Sequence, residues 1–461
     1  MSQPTPMSID TQVTPERLPR QLGVVSTAAL LIGITIGSGI FRVPSTVAAE
    51  VGSVSAVTLV WLTGAAITLA GALTLVALAT ALPKPGGAYV YIREGYGPLA
   101  AFLFGWVKLL VTGPAALAAV ALIFAEYART FVPLSARQVQ LVAGMLLVAL
   151  TAANIRSVKW SAALQNASTF AKVFVLAALS LLVFRLGNPA GGALVEPMGW
   201  KGVNVHGFWT ALIVVLWTYT GWVDLSYAAG EVKNPTRTFP RAVLAGLAIV
   251  LVVYLLANAA YLYVLPLPAM AQSTLVAATA AERALGPPGA ALVAALVMVS
   301  TFGSLNGTIL TNPRVFFAMA EDGVFFRSVA AVHPRYRTPY VALVLYMLLG
   351  VAGVATRTFE QLAEIFVLGI WPFYALAVGA VFLVPRRRPE LATLCRAWGY
   401  PVLPIAFLLF SVAMLTNRVV RRPLEMAISF GIILLGIPVY FGWRAVRSRR
   451  VVAMASQSAE P

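Results

Sequence analysis

Long apolar stretches alternate with short polar ones along the chain, and most reach the roughly 20 residues that a helix needs to cross a hydrocarbon core. Six fall near residues 22–49, 54–82, 97–128, 137–155, 160–186 and 203–231. Six more fall near 238–265, 290–320, 339–356, 361–385, 400–417 and 424–444. The residue-by-residue alternation of a transmembrane β-barrel is missing from them. The pattern predicts an all-α integral membrane protein with 12 transmembrane helices. Around these spans it predicts a polar tail over 1–20, a first five-helix unit over 21–186, a second over 203–386, a final pair over 387–445 and a tail over 446–461. The stretch 266–289 reads as an outer loop with one short helix, and 83–97 (PKPGGAYVYIREGYG) as a glycine-rich inner loop.

Composition removes the alternatives. Of 461 residues, 60% are hydrophobic and only 11% charged, whereas a soluble domain carries about a quarter charged residues. The net charge of +17 would suit nucleic acid if it were clustered, but the basic residues sit singly or in short runs between apolar segments, as at Arg386–Arg388. They read as topology signals. Loops on the side of the N-terminus hold about 21 Lys and Arg against about 9 on the other, which puts both termini in the cytoplasm of a cell (inner) membrane. Arg418, Arg421 and Arg422, in the last hairpin, are the exception. The first 20 residues lack the apolar core of a signal peptide, and the first apolar run is too long for one, so it stays as an anchor. One cysteine, Cys395, and two histidines exclude a disulfide framework and leave little for a metal site, and no cofactor is implied. HExxH, a P-loop and a Ser/His/acid set are missing, so no enzymatic chemistry can be placed. An ion channel would need a repeated selectivity ring, which the sequence does not show.

Two apolar segments contain weak points. The first reads GITIGSGIF over 33–41, and the sixth reads WTYTGW over 217–222. Each glycine in a helix costs about 1 kcal/mol relative to alanine, so Gly37, Ser38 and Gly39 mark a place where the first helix can open. Opening would bare carbonyls on one half-helix and N–H groups on the next. Such backbone survives at membrane depth only where it lines a cavity or is covered by protein. A zwitterion suits it, with carboxylate on N–H groups and ammonium on carbonyls. Close helix packing through small residues is the alternative. Thr218, Thr220 and Gly221 supply the second weak point, and Trp217, Tyr219 and Trp222 supply flat walls. The two weak points open corresponding positions of two five-helix halves, the signature of an inverted-repeat carrier.

GSGIF in the first segment, GW followed by GEVKNPTRTFPRA at 230–242, and NPRVFFAMAEDG with HPRYRTP over 312–339 together resemble the amino acid/polyamine/organocation superfamily. Within it the chain is most similar to the L-type amino acid transporter branch and its bacterial relatives, over about residues 20–440. The resemblance implies a 5+5 inverted repeat of the LeuT-like kind, with discontinuous helices 1 and 6 and alternating access around a central amino acid site. Carried over, it puts a substrate carboxylate on the N–H groups of Ser38, Gly39 and Ile40. It puts the ammonium near carbonyls of Thr35, Ile36, Trp217 and Thr220, with Gly37, Thr218 and Tyr219 alongside. Trp217 stands at the aromatic gate and Trp222 at the family tryptophan. Val223 replaces an often polar residue, and Asp224 follows it.

Four charges stand out within the apolar segments: Lys172, Lys108, Arg42 and Asp224. Lys172 sits about 12 residues from either end of the fifth, roughly 18 Å of helix, too deep to snorkel, so it must face protein partners. The resemblance implies that this lysine replaces a sodium ion between the first and eighth helices, near the Gly37 carbonyl region and Ser300, Thr301 or Ser304. Structural counter-charge and proton carrier both stay open. Lys108 and Arg42 lie nearer an interface and read either as snorkelling side chains or as functional ones. Asp224 reads as a partner for a lysine, a site for a substrate cation or a proton relay. The expectation is a sodium-independent amino acid transporter, an exchanger or a proton-coupled carrier, for neutral amino acids. Cationic or acidic amino acids and polyamines are the alternatives. The partners implied are the substrate, the lipid bilayer and protons. No disulfide-linked accessory subunit is expected, because residues 129–137 carry no cysteine.

Overall fold

The computed structural model describes residues 19–156, 158–189, 204–273, 275–356, 359–396, 399–421 and 423–457. Most of the tail 1–20, the last residues of the tail 446–461 and Arg422 lie outside them. Among the described residues the chain is helical, and its only β-type pairing is an isolated bridge between Leu22 and Val232. Among the described residues, ten helices are long and apolar enough to span a membrane, and the bent pair Val24–Thr35 and Gly39–Val51 makes an eleventh. The shorter apolar helix Tyr340–Thr356 occupies the ninth expected position. The chain is a multi-pass membrane protein. Large apolar side chains such as Leu141, Phe174, Val420 and Leu424 remain exposed on it, as expected of a surface whose solvent is lipid.

Both expected weak points are breaks. The first segment stops at Thr35 and resumes at Gly39, with its two halves bent by 46°. The sixth runs Val205–Thr218 and resumes as Trp222–Tyr227. Gly221 between them takes φ 129°, a conformation open in practice to glycine alone. A β-carbon there would also stand 2.5 Å from the Thr35 hydroxyl, and one on Gly39 would stand 2.7 Å from Thr218. Each break thus presses a bare glycine onto a threonine of the other. The half-helix Val24–Thr35 packs on Pro235–Val264, Val158–Leu186 and Pro287–Thr311, while Gly39–Val51 packs on Val205–Thr218.

Several elements differ from the sequence reading. The expected loop 83–97 contains the helix Ala88–Tyr96, whose Ala88 to Ile92 are buried against Phe359–Arg387. Tertiary burial outweighs the local glycines there. The outer stretch 266–289 carries two short helices, Leu267–Gln272 and Val276–Leu285. The eighth segment divides at Asn312 into Pro287–Thr311 and Pro313–Glu321, because Pro313 brings no N–H to continue the ladder. In the third, a π-helical turn spans Lys108–Thr112. Pro114 follows it, and a proline ring clashes with the carbonyl four residues back, so the widened turn relieves the clash. The last helix continues from Pro423 to Gln457, past the expected end of the twelfth span.

Polar contacts tie the helix ends on the side where the first segment begins. The Leu22 N–H donates to the Glu231 carbonyl at 2.9 Å and the Lys233 N–H returns to Leu22 at 2.8 Å. Beneath them, Arg314 donates through Nε to Glu231 Oε1 at 2.6 Å, with both side chains 1% exposed. Asp322 accepts from Arg93 and from the Tyr89 hydroxyl, and Arg388 pairs with Glu94 at 3.0 Å. Arg314→Ala should therefore destabilise the protein by about 3–5 kcal/mol, because Glu231 is left as a buried unpaired charge. Thermal unfolding of the detergent-purified variant checks this. Arg314→Met with Glu231→Leu should recover most of the loss.

Candidate functional site at the two breaks

Between the breaks lies a cavity of about 60 Å³, room for a few waters or part of a small solute. Of the residues singled out from sequence, Thr35, Gly37, Ser38, Gly39, Trp217, Thr218, Thr220, Asp224, Lys108 and Ser304 line it. The second half-helix starts here; the Phe41 N–H turns back to the Ser38 carbonyl at 3.2 Å, and helix geometry leaves the Gly39 and Ile40 N–H groups without an intrahelical partner. That positive end is the side suited to an anion. The Thr35 hydroxyl is buried at the cavity with no hydrogen-bond partner, which leaves it open to a ligand's donor. Trp217 meets the ring of Phe366 edge-on, with centroids 4.6 Å apart, and the two form one wall.

Other expected site residues face elsewhere. Ile36 and Ile40 bury their side chains in the core, and the Ile36 carbonyl points away from the cavity to accept from Lys172 at 2.6 Å and from Ser300 Oγ at 2.9 Å. It serves the lysine rather than a substrate ammonium. The Trp217 carbonyl already accepts from the Thr220 hydroxyl at 2.6 Å and the Thr220 N–H at 3.0 Å, so both of its lone pairs are engaged. Tyr219 turns into a three-ring cluster with Trp61 and Tyr254. Trp222 packs between Tyr374 and Phe407. Both rings brace the break from behind, because the backbone between Thr218 and Trp222 leaves the helical path and carries them to the far face. Arg42 is half-buried near Tyr127 and does not line the cavity.

Behind the first break, Lys172 is fully buried and its ammonium donates to the carbonyls of Gly33 and Ile36, each at 2.6 Å, and of Ser300 at 3.0 Å. Ser304 Oγ stands at 3.4 Å. The acceptors are therefore Gly33 and Ile36, not the Gly37 carbonyl, which takes a contact from Ser300 Oγ at 3.4 Å. Thr301 is not among the partners either, since its hydroxyl returns to Val297 at 2.7 Å on its own helix. A cation placed against the exposed carbonyls that end a half-helix is stabilised by the helix dipole.

Three features escaped the sequence reading. The Tyr254 hydroxyl lies 2.8 Å from the Thr35 carbonyl and 3.0 Å from the Thr218 carbonyl, so a single phenol bridges the last residues of both first halves. Asn312 donates to Asp224 Oδ1 at 2.8 Å, and Lys108 stands 3.5 Å from the same oxygen. Phe366 joins Trp217. Asn312 and Asp224 share the signal of a polar residue inside an apolar segment, but Asn312 entered the sequence reading only as the first residue of the motif NPRVFFAMAEDG that carries the family resemblance. Nothing local marks Tyr254 or Phe366.

A bundle of membrane-spanning helices, broken at mid-length around a small polar cavity, is an architecture that carriers use. Comparison with known proteins makes the class specific. The amino acid permease family model matches residues 22–442, and the chain belongs to that family. It is 32% identical over 430 residues to the serine/threonine exchanger SteT of Bacillus subtilis, covering 93% of this chain and 97% of the relative. It is 29% identical to the human b(0,+)-type amino acid transporter 1, over 92% of this chain and 88% of that protein. It is 30% identical to the human large neutral amino acids transporter small subunit 2, over 92% of this chain and 80% of that protein.

Tyr254→Phe should leave the Thr35 and Thr218 carbonyls without their shared donor and cost about 1–3 kcal/mol of stability. A lowered unfolding temperature together with slower amino acid uptake checks it. An unchanged pair of values would show that the phenol bridges nothing of consequence.

Proposed function

We propose that the chain is a sodium-independent amino acid exchanger of neutral substrates, with twelve spans arranged as a 5+5 inverted repeat and both termini in the cytoplasm of the inner membrane. The observation that carries the reading is the Lys172 ammonium, held by three carbonyls and a hydroxyl between the first and eighth segments. It supplies a fixed positive charge where a carrier driven by sodium would bind its ion, so no sodium is needed there to assemble the broken first helix. A substrate carboxylate meets the N–H groups of Ser38, Gly39 and Ile40. Its ammonium faces Thr35 and Thr220, and Trp217 with Phe366 covers it. Rocking of the first and sixth segments against their neighbours then exposes the cavity to each side in turn.

Exchange is supported by the printed activity of the bacterial relative, and neutral substrates by the name of the human large neutral amino acids transporter. The inward position of both termini follows from the excess of Lys and Arg in alternate loops. The chain works without a disulfide-linked subunit on this reading. Its cysteine, Cys395, is 1% exposed, and burial pushes its thiol up to about 11, which keeps the reactive thiolate scarce at neutral pH.

Proteoliposomes loaded with a mixture of amino acids should take up labelled serine or leucine saturably, at the same rate when choline replaces sodium. An imposed proton gradient without internal amino acid should drive no accumulation; accumulation under that condition would make it a proton-coupled carrier instead. Lys172→Ala should lower uptake by about tenfold or more while the protein still inserts, because the exposed carbonyls lose their cation. Sodium dependence in the unmodified protein would overturn the reading.

A further inference from the structure

Lys108 and Asp224 meet in the wall of the same cavity, and neither is saturated by the protein. The ammonium has three donors and is 1% exposed, yet its one hydrogen-bond partner is Asp224 Oδ1 at 3.5 Å. The faces of Tyr227 and Phe366, at 5.2 and 5.9 Å, supply the rest of its surroundings. Asp224 Oδ1 also accepts from Asn312, while the carboxylate's second oxygen takes no hydrogen bond from the protein and is not among the buried unpartnered atoms, so it opens to the cavity. Asn312 is fully buried, lines the same cavity and leaves its Oδ1 without a partner. Leaving such groups unpaired in a dry site costs free energy that a ligand with matching groups would recover.

The inventory specifies the ligand. The site offers unused ammonium hydrogens beside two unused acceptors, one on Asp224 and one on Asn312, and the charges of Lys108 and Asp224 cancel. We propose that Lys108, Asp224 and Asn312 form the side-chain subsite, and that it selects amino acids whose uncharged side chain both donates and accepts hydrogen bonds: the carboxamides and hydroxyls. A carboxamide matches it fully, with its oxygen on Lys108 and its NH2 on Asp224 and Asn312. A hydroxyl matches it once each way. An aliphatic side chain leaves the ammonium and the acceptors unanswered. A substrate carboxylate is repelled by Asp224, and a substrate ammonium or guanidinium by Lys108. The backbone irregularities serve the same end: the π-helical turn begins at Lys108 and the eighth segment divides at Asn312, and π-bulges gather at functional positions.

This inference rests on the exchange reading of the same site and narrows its substrates. Its test is competition against labelled glutamine in proteoliposomes. In the unmodified protein, unlabelled glutamine, asparagine, serine and threonine should each inhibit at concentrations about tenfold lower than leucine, glutamate or lysine require. Asp224→Asn leaves a net positive subsite and should bring glutamate to the front, whereas Lys108→Met leaves a net negative one and should do the same for lysine. If either single variant fails to fold around its unpaired charge, Lys108→Met with Asp224→Leu removes both and should favour leucine over glutamine. Leucine competing as well as glutamine in the unmodified protein, or a profile that the double variant leaves unmoved, overturns the subsite. The absence of saturable uptake of any amino acid, serine and leucine included, would instead overturn the broader reading.

Discussion

A helix interrupted in the middle of an apolar layer presents backbone carbonyls and N–H groups that water cannot reach, and protein groups or a bound solute must satisfy them. The first segment does this on two sides. Behind it, Lys172 donates to the Gly33 and Ile36 carbonyls while Ser300 and Ser304 add hydroxyls. Beside it, Tyr254 reaches the Thr35 carbonyl and, across the gap, that of Thr218. The one hydrogen of the Tyr254 hydroxyl is shared between the two carbonyls, and Ser38 and Gly39 line the cavity at the N–H end. The Lys172 amine on one side and the start of a half-helix on the other give the first segment two chemically different faces.

The reciprocal contacts of Gly39 with Thr218 and Gly221 with Thr35 couple the two breaks mechanically. A β-carbon at either glycine would stand within 2.7 Å of the opposing threonine, so the two breaks touch at both points with no room for a larger residue. The aromatic cluster of Trp61, Tyr219 and Tyr254 backs this contact with edge-on and tilted rings, which adds apolar burial without filling the cavity. On the side where the first segment begins, the Leu22–Val232 bridge holds the end of the sixth segment to the start of the first, and the Arg314–Glu231 pair holds it to the eighth. On the proposed alternating access, those polar ties would have to part when that side opens, and their strength would set part of the balance between the two states.

Much of the site was legible because the residues that break an apolar helix are few and conspicuous. The glycine pair around Ser38, the glycine after Thr220 and a lysine too deep to snorkel each violate the composition of a membrane helix, and each stands at or against a break in the bundle. The facing of side chains was less legible. Past a break the period of 3.6 no longer carries the register, so Tyr219 and Trp222, which read as cavity walls, turn instead toward Trp61 and Phe407. Tyr254 and Phe366 sit in apolar segments where an aromatic residue is unremarkable, and they matter only for what stands opposite them.

Hydropathy and the positions of glycine, proline and charge suffice to specify a bundle of spanning helices, the places where two of them open and the need for a partner at Lys172, because each follows from the cost of polar groups in hydrocarbon. Which partner, and which groups remain free, depends on helices distant along the chain. Lys108 and Asp224 are 116 positions apart, and Asp224 and Asn312 are 88; packing alone sets their meeting and the unequal saturation that makes their part of the cavity selective. The price of a buried charge can be read one residue at a time, but its pairing is a property of the assembled helices.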